Sequence, residues 1–232
     1  TKNPEEKPYF LTNQSAGSFN TFKHSFEAGT GKFLNNLLSV SARYSIINSD
    51  GYIDRAFSKL NSYNINALFE KGNTKLRFLT FGGKEKTYQA WNGIDKATYE
   101  SNPKFNYSGA IYDANWENII GFYDNETDNY RQNHYHLLWE QKLGKIWNLE
   151  TTFHLTHGEG YYENYKQDAK FSKYDLPNIV ENGNTITRTD FIRKKWLDND
   201  FYGVVSSLYG NFENLNLNFG VAANQYFGRH FG

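Results

Sequence analysis

The stretch "LLSVSARYSII", residues 37–47, alternates apolar and polar residues without a break. Leu38, Val40, Ala42, Tyr44 and Ile46 fall on one face of an extended chain, and Ser39, Ser41, Arg43 and Ser45 on the other. A period of two over so long a run is the signal of a β-strand with one apolar and one polar surface. The same pattern recurs along the chain. Tyr63, Ile65, Ala67 and Phe69 oppose Ser62, Asn64, Asn66 and Glu70, and Tyr135, Leu137 and Trp139 oppose His134, His136, Glu140 and Lys142. Trp147, Leu149, Phe153 and Leu155 oppose Asn148, Glu150, Thr152 and His154, and Leu215 to Ala223 repeat the alternation. With less regular runs near 18–28, 74–82 and 199–209, the pattern predicts about eight long strands. The polar face carries the charge, at Arg43, Glu70, Arg77, Glu140, Lys142 and Glu150.

Periodicity alone fits either a soluble sandwich or a membrane barrel, because the two differ only in which face meets water. The connections separate them. Short links are expected at "TGK" (30–32), "GNT" (72–74), "GK" (144–145) and "GNFEN" (210–214), alternating with long ones at 48–57, 83–129 and 158–196. Long structureless loops are uncommon in compact soluble domains. Tight turns at one end and long loops at the other are the habit of outer-membrane barrels. Trp139 and Trp147 flank the turn at 144, where an interfacial aromatic girdle belongs.

Composition agrees. The mean hydropathy is −0.76, yet 18% of residues are aromatic (19 Phe, 18 Tyr, 5 Trp). A polar average with abundant aromatics suits a glycan-binding β protein or a barrel with an apolar outside and a wet inside. No run approaches the roughly 18 apolar residues of a transmembrane helix. The 25 basic and 25 acidic residues give a net charge of +0, which lacks the footprint of a nucleic-acid binder. Without cysteine there is no disulfide, thiol nucleophile or thiolate metal site. Methionine is absent too, which predicts a piece of a longer precursor.

Four local motifs suggest chemistry and fall short of it. "TFGGKEKTYQAWNG" (80–93) resembles a phosphate loop, but Phe78 stands where the first glycine belongs and Glu85 where the Mg²⁺-binding hydroxyl belongs. Gly82 and Gly83 are expected to mark a strand leaving the membrane, with Lys84, Glu85 and Lys86 as solvated charges at the lip. His134, His136, Glu140 and His154 lack a diagnostic ligand spacing and read as lumen-facing polar residues, so no metal or other cofactor is expected. His157, Glu159, Glu163 and Asp168 include no fixed carboxylate pair or nucleophile beside a base, so no enzyme is expected. "SDGYIDR", with Asp50, Gly51 and Asp54, lacks the ligand spacing of a calcium loop and reads as a turn. Aromatics in the long links carry more information. Tyr88, Trp91, Trp116, Tyr161 and Tyr162 are the candidate ligand-binding residues, since exposed aromatics beside polar groups suit a bulky amphipathic ligand.

The segments "SDGYIDRA" (49–56), "GGKEKTYQAWNG" (82–93), "YDNETDNYRQNHYHL" (123–137), "HGEGYYENYK" (157–166), "RKKWLDNDFYG" (193–203) and "NQYFGRHFG" (224–232) resemble TonB-dependent outer-membrane receptors of the Bacteroidetes type. The resemblance implies a roughly 22-stranded barrel closed by an N-terminal plug. It also implies import of a ferric siderophore, cobalamin or similar scarce ligand, with energy passed through TonB. No signal peptide, TonB box or plug is visible. Residues 1–232 are therefore expected to be an antiparallel, all-β segment of one transmembrane barrel domain, with the plug and remaining strands outside them. The implied partners are the lipid bilayer, TonB through that plug, and an iron chelate or corrinoid; the implied place is the outer membrane. A self-contained small barrel acting as an adhesin, and a soluble glycan-binding β protein, are the other two readings.

Overall fold

Alternation sustained through ten or more residues commits a segment to extended backbone, because a helix would scatter its apolar positions around the axis. The computed structural model, which describes residues 3–232, turns these runs into nine long strands of one sheet. In chain order they begin with β1 (Pro8–Gly17), β2 (Thr21–Phe33), β3 (Leu38–Ser49), β4 (Ser58–Lys71) and β5 (Thr74–Tyr88). A long excursion follows, holding helix α1 (Lys96–Ser101) and the short hairpin of β6 (Ala110–Tyr112) and β7 (Ile119–Phe122). The sheet resumes with β8 (Thr127–Leu143) and β9 (Trp147–Lys170). A 3₁₀ turn (Phe171–Tyr174) and the hairpin of β10 (Ile179–Glu181) and β11 (Asn184–Ile186) lead to β12 (Arg188–Asn211) and β13 (Asn216–Phe231). Successive long strands pair antiparallel in sequence order, a plain meander.

Register keeps each face aligned from strand to strand. Val40, Ala67, Phe78, Leu137, Phe153, Val204 and Ala223 lie directly opposite one another across seven strands. One residue along, Ser41, Asn66, Leu79, His136, His154, Gly203 and Asn224 form the matching rung on the other side. Phe78, Leu137 and Phe153 are 43%, 42% and 48% exposed, so the apolar face covers no core of its own. A soluble sandwich would bury that face against a second sheet; among the described residues only two small hairpins accompany the main one. An outward apolar band with a polar inner face is the lipid-facing construction of a membrane barrel. The sheet is open. Among the described residues β1 pairs with β2 alone and β13 with β12 alone, so these strands do not close as a small barrel.

Four features differ from the sequence expectation. There are nine strands rather than about eight, because β1 alternates weakly and reads as irregular by itself. "TGK" is not a turn: β2 runs through it with a shift in register between Gly29 and Lys32, and Gly31 takes φ +66 there. Thr30 Oγ1 accepts a 3.0 Å bond from the Val40 amide across that bulge. The chain reverses at Leu34, Asn35 and Asn36, all in the left-handed region. Gly82 and Gly83 lie within β5, six and five residues before its end, where a Cβ on Gly82 would sit 2.4 Å from the Gln132 carbonyl. Finally, the long links are shorter than expected. β5, β8, β9 and β12 continue well past the roughly 9–11 residues needed to cross a bilayer. The connections shrink to 89–126 and 171–187, and the strand ends stand above the membrane as a wall.

Candidate ligand-binding mouth

The upper wall is lined on its inner side by residues that continue the lumen register. Glu85 on β5, Tyr130 on β8 and Gly160 on β9 are directly opposed, as are Thr87, Asp128, Tyr162 and Lys195 one rung higher. All of these but Thr87, with Tyr174 and Arg193, border a cavity of about 890 Å³ at the outer mouth. Its rear is the 3₁₀ turn, held over the inner face where Phe171 and Tyr174 pack on Phe191 with ring centroids 5.7 and 5.1 Å apart. Trp91 meets Tyr162 edge-on at 5.8 Å, and the Lys195 ammonium lies 5.7 Å from the centre of the same Tyr162 ring. Phenols, cations and the carboxylates of Glu85 and Asp128 thus border a space open to solvent, with the Trp91 indole packed on Tyr162 beside it. Such a set suits a large ligand with aromatic or anionic groups.

The 89–126 connection is fastened to the wall by buried polar groups. The Tyr88 hydroxyl donates to the Ser108 and Tyr123 carbonyls at 3.0 and 2.7 Å. The Gln89 amide donates to the Thr127 and Glu163 carbonyls, and Asn164 donates to Gln89 Oε1 and Glu126 Oε1. Asn106 donates to the Asp54 and Gln89 carbonyls at 3.1 and 3.0 Å. Glu163 accepts from Tyr123 and Asn125 and pairs with Lys194 at 3.4 Å. Burial pushes the Glu163 carboxyl up, but those donors outweigh it and hold it below the usual carboxylate range. Burial and the bond to Glu163 push the Tyr123 phenol up to about 12. The bond to Asp190, helped by burial, does the same for Tyr165.

The five candidate aromatics separate. Trp91 and Tyr162 come together at the mouth. Tyr161, next in sequence to Tyr162, lies on the opposite register and packs against Trp196 at 4.4 Å, which stacks in turn on Phe231; these three rings border the same cavity at its edge. Tyr161 and Tyr162 are both strand residues of β9 rather than loop residues, since the wall extends past them. Tyr88 is not exposed: it ends β5 with 4% of its surface accessible and serves as an anchor for the connection above it. Trp116 stands at the tip of the β6–β7 hairpin, stacked on Tyr112 at 5.8 Å and away from the mouth. Arg193, Lys195 and Tyr174 escaped the sequence reading. The alternation of "RKKWLDND", with Arg193, Lys195 and Leu197 on one face and Lys194 and Trp196 on the other, was the available signal.

Below the mouth the lumen carries a second cavity of about 670 Å³, bordered by Tyr9, Arg43, Asn64, Phe81 and His134. His134 bonds Thr156 at 2.9 Å and Gln132 at 3.2 Å, and His154 bonds Asn224 at 2.8 Å. His134 and His154 are thus engaged with polar neighbours, His136 meets the Phe81 ring edge-on, and no group of three metal-binding side chains occurs among the described residues. Asp50 accepts from Asn20 at 2.6 Å, and the Asp54 amide bonds the Lys104 carbonyl, a turn contact.

No protein-family model and no curated protein sequence matches the chain. Solved structures do. The chain is similar to the ferric-catecholate import receptor Fiu of E. coli K12, with a TM-score of 0.68 and 12% identity over 100% of this chain and 33% of that one. It is similar to the siderophore receptor PiuA of Acinetobacter baumannii, with a TM-score of 0.64 and 12% identity over 99% and 31%. BauA, the ferric preacinetobactin receptor of the same organism, gives 0.60 and 12% over 99% and 31%. The chain spans about a third of the length of these receptors. In fold, the chain is a nine-stranded antiparallel arc similar to part of the β-barrel of these TonB-dependent outer-membrane receptors.

Proposed function

We propose that this arc belongs to a TonB-dependent transporter that admits a bulky iron chelate of the siderophore kind, first engaged at the mouth by Trp91, Tyr162 and Lys195. The observation that carries the reading is the meeting of those three side chains, from the 89–126 connection and strands β9 and β12, over a polar lumen. The likeness to receptors that handle ferric chelates supports it. In this reading the chain performs no covalent chemistry; a plug outside it receives force from TonB, and the mouth sets selectivity.

The test uses the full-length receptor. A strain lacking it is supplied with iron chelates and corrinoids one at a time, and growth is compared with and without the gene. Growth on one or more ferric chelates should depend on it. Dependence on a corrinoid alone would replace iron with cobalt as the cargo, and no dependence on either would overturn the reading. For the identified ligand, the Trp91→Ala and Tyr162→Ala variants should each weaken binding about tenfold or more, about 1.4 kcal/mol. Trp116→Ala should change it less than about twofold, because that side chain stacks on Tyr112 away from the mouth.

A further inference from the structure

The outward face changes character just above the apolar belt. Lys84 on β5 lies directly opposite Arg131 on β8, and Lys59 on β4 lies directly opposite Lys86 on β5. All four share the outward register of Phe78 and Leu137, so they face away from the lumen. Like charges directly opposite each other in a sheet are destabilising. Here two such pairs stand on neighbouring rungs of three adjacent strands. Their partners offset little of this. Arg131 pairs with Glu159 at 2.8 Å and Lys86 donates to Asn125 at 2.8 Å. Lys59 rests its ammonium 5.5 Å from the Phe57 ring, and Lys84, exposed, has no ion pair among the described residues. Four cations therefore face a single carboxylate.

We propose that Lys59, Lys84, Lys86 and Arg131 form a binding site for the phosphate-bearing headgroup of an outer-leaflet lipid. Phosphate oxygens accept charge-assisted bonds from ammonium and guanidinium groups together, and a shared anion relieves both like-charge rungs at once. Position selects a lipid over free phosphate. Lys84 is the next outward residue after Gly82, which follows Phe78 and Thr80 along β5. A headgroup held there leaves its acyl chains against Phe78 and Leu137. The site is on the opposite side of the wall from the mouth cavity and serves anchorage in the leaflet rather than transport.

The full-length barrel, extracted from outer membranes in mild detergent, would be analysed for retained lipid by native mass spectrometry. The Lys59→Gln/Lys84→Gln double variant should retain at least tenfold less phosphate-bearing lipid, at about fivefold per cation removed. Lys71→Gln/Lys145→Gln, at the other end of the barrel, should retain the wild-type amount, and Lys59→Arg/Lys84→Arg should as well. Unchanged heat-dependent gel mobility verifies folding of each variant. Equal retention by the wild type and the Gln double variant would overturn the proposal. So would retention of lipid stripped of its headgroup phosphates, or inorganic phosphate binding as tightly as the lipid.

Discussion

Glu163 is 3% exposed on the outward side of β9, and its charge is kept there by Tyr123, Asn125 and Lys194. Asp190 is likewise held low, by the Asp168 amide and the Tyr165 hydroxyl. A carboxylate whose folded pKa is depressed contributes stability above its unfolded pKa, about 4, and loses it as pH falls through the folded value. The 89–126 connection should therefore keep its tertiary order from neutral pH to about 4 and loosen below it. Near-ultraviolet circular dichroism from Trp116 stacked on Tyr112 reports that order. Glu163→Gln should show a weakened signal already at neutral pH and a flatter acid response. The phenols run the other way. Tyr123 has its folded pKa raised to about 12, so its contribution is complete below about 10 and is lost as pH rises through 12. Phenolate absorbance in Tyr123→Phe should lack one such late-titrating group.

Among the elements, β5 shows how a glycine pair is misread. A Cβ at Gly82 would meet the Gln132 carbonyl at 2.4 Å, and one at Gly83 the Asn61 carbonyl at 2.7 Å. Backbone groups of a hydrogen-bonded neighbour cannot swing aside as a side chain does. Gly82→Ala should destabilise the full-length barrel by about 1–3 kcal/mol, seen as a lower urea midpoint with an unchanged slope. The pair thus serves close strand packing, not phosphate binding or a loop boundary. Strands within the belt were legible because lipid on one side and lumen on the other enforce strict alternation, as in Leu38 to Ile46. Above the belt both faces are wet, apolar residues are no longer required on one of them, and the period fades. That is why β9 past Gly158 and β12 before Asn199 read as loops, and why Tyr161 and Tyr162 were placed together although they face opposite ways.

For the whole molecule, the outward register places Leu137 against lipid and its neighbour His136 against the lumen. Leu137→Arg should cost about 2–4 kcal/mol of barrel stability in a bilayer or micelle. His136→Arg should cost markedly less, because its charge stays in water. Reversible urea unfolding of the full-length protein in lipid vesicles checks both; equal effects would mean that the two faces had been assigned the wrong way round.

The sequence by itself determined the alternating faces, the end of the sheet that carries tight turns and the end that carries long connections. Each follows from local patterning against two solvents. Only the tertiary structure decided that the strands rise beyond the membrane, that the 89–126 connection is pinned by Tyr88, Gln89, Glu126 and Asn164, and that Trp91 and Lys195 both meet Tyr162. Those contacts join residues far apart in the chain, through hydrogen bonds of buried polar groups in the connection and through ring contacts at the mouth. No periodicity records such pairings, because each depends on which strand lies beside which.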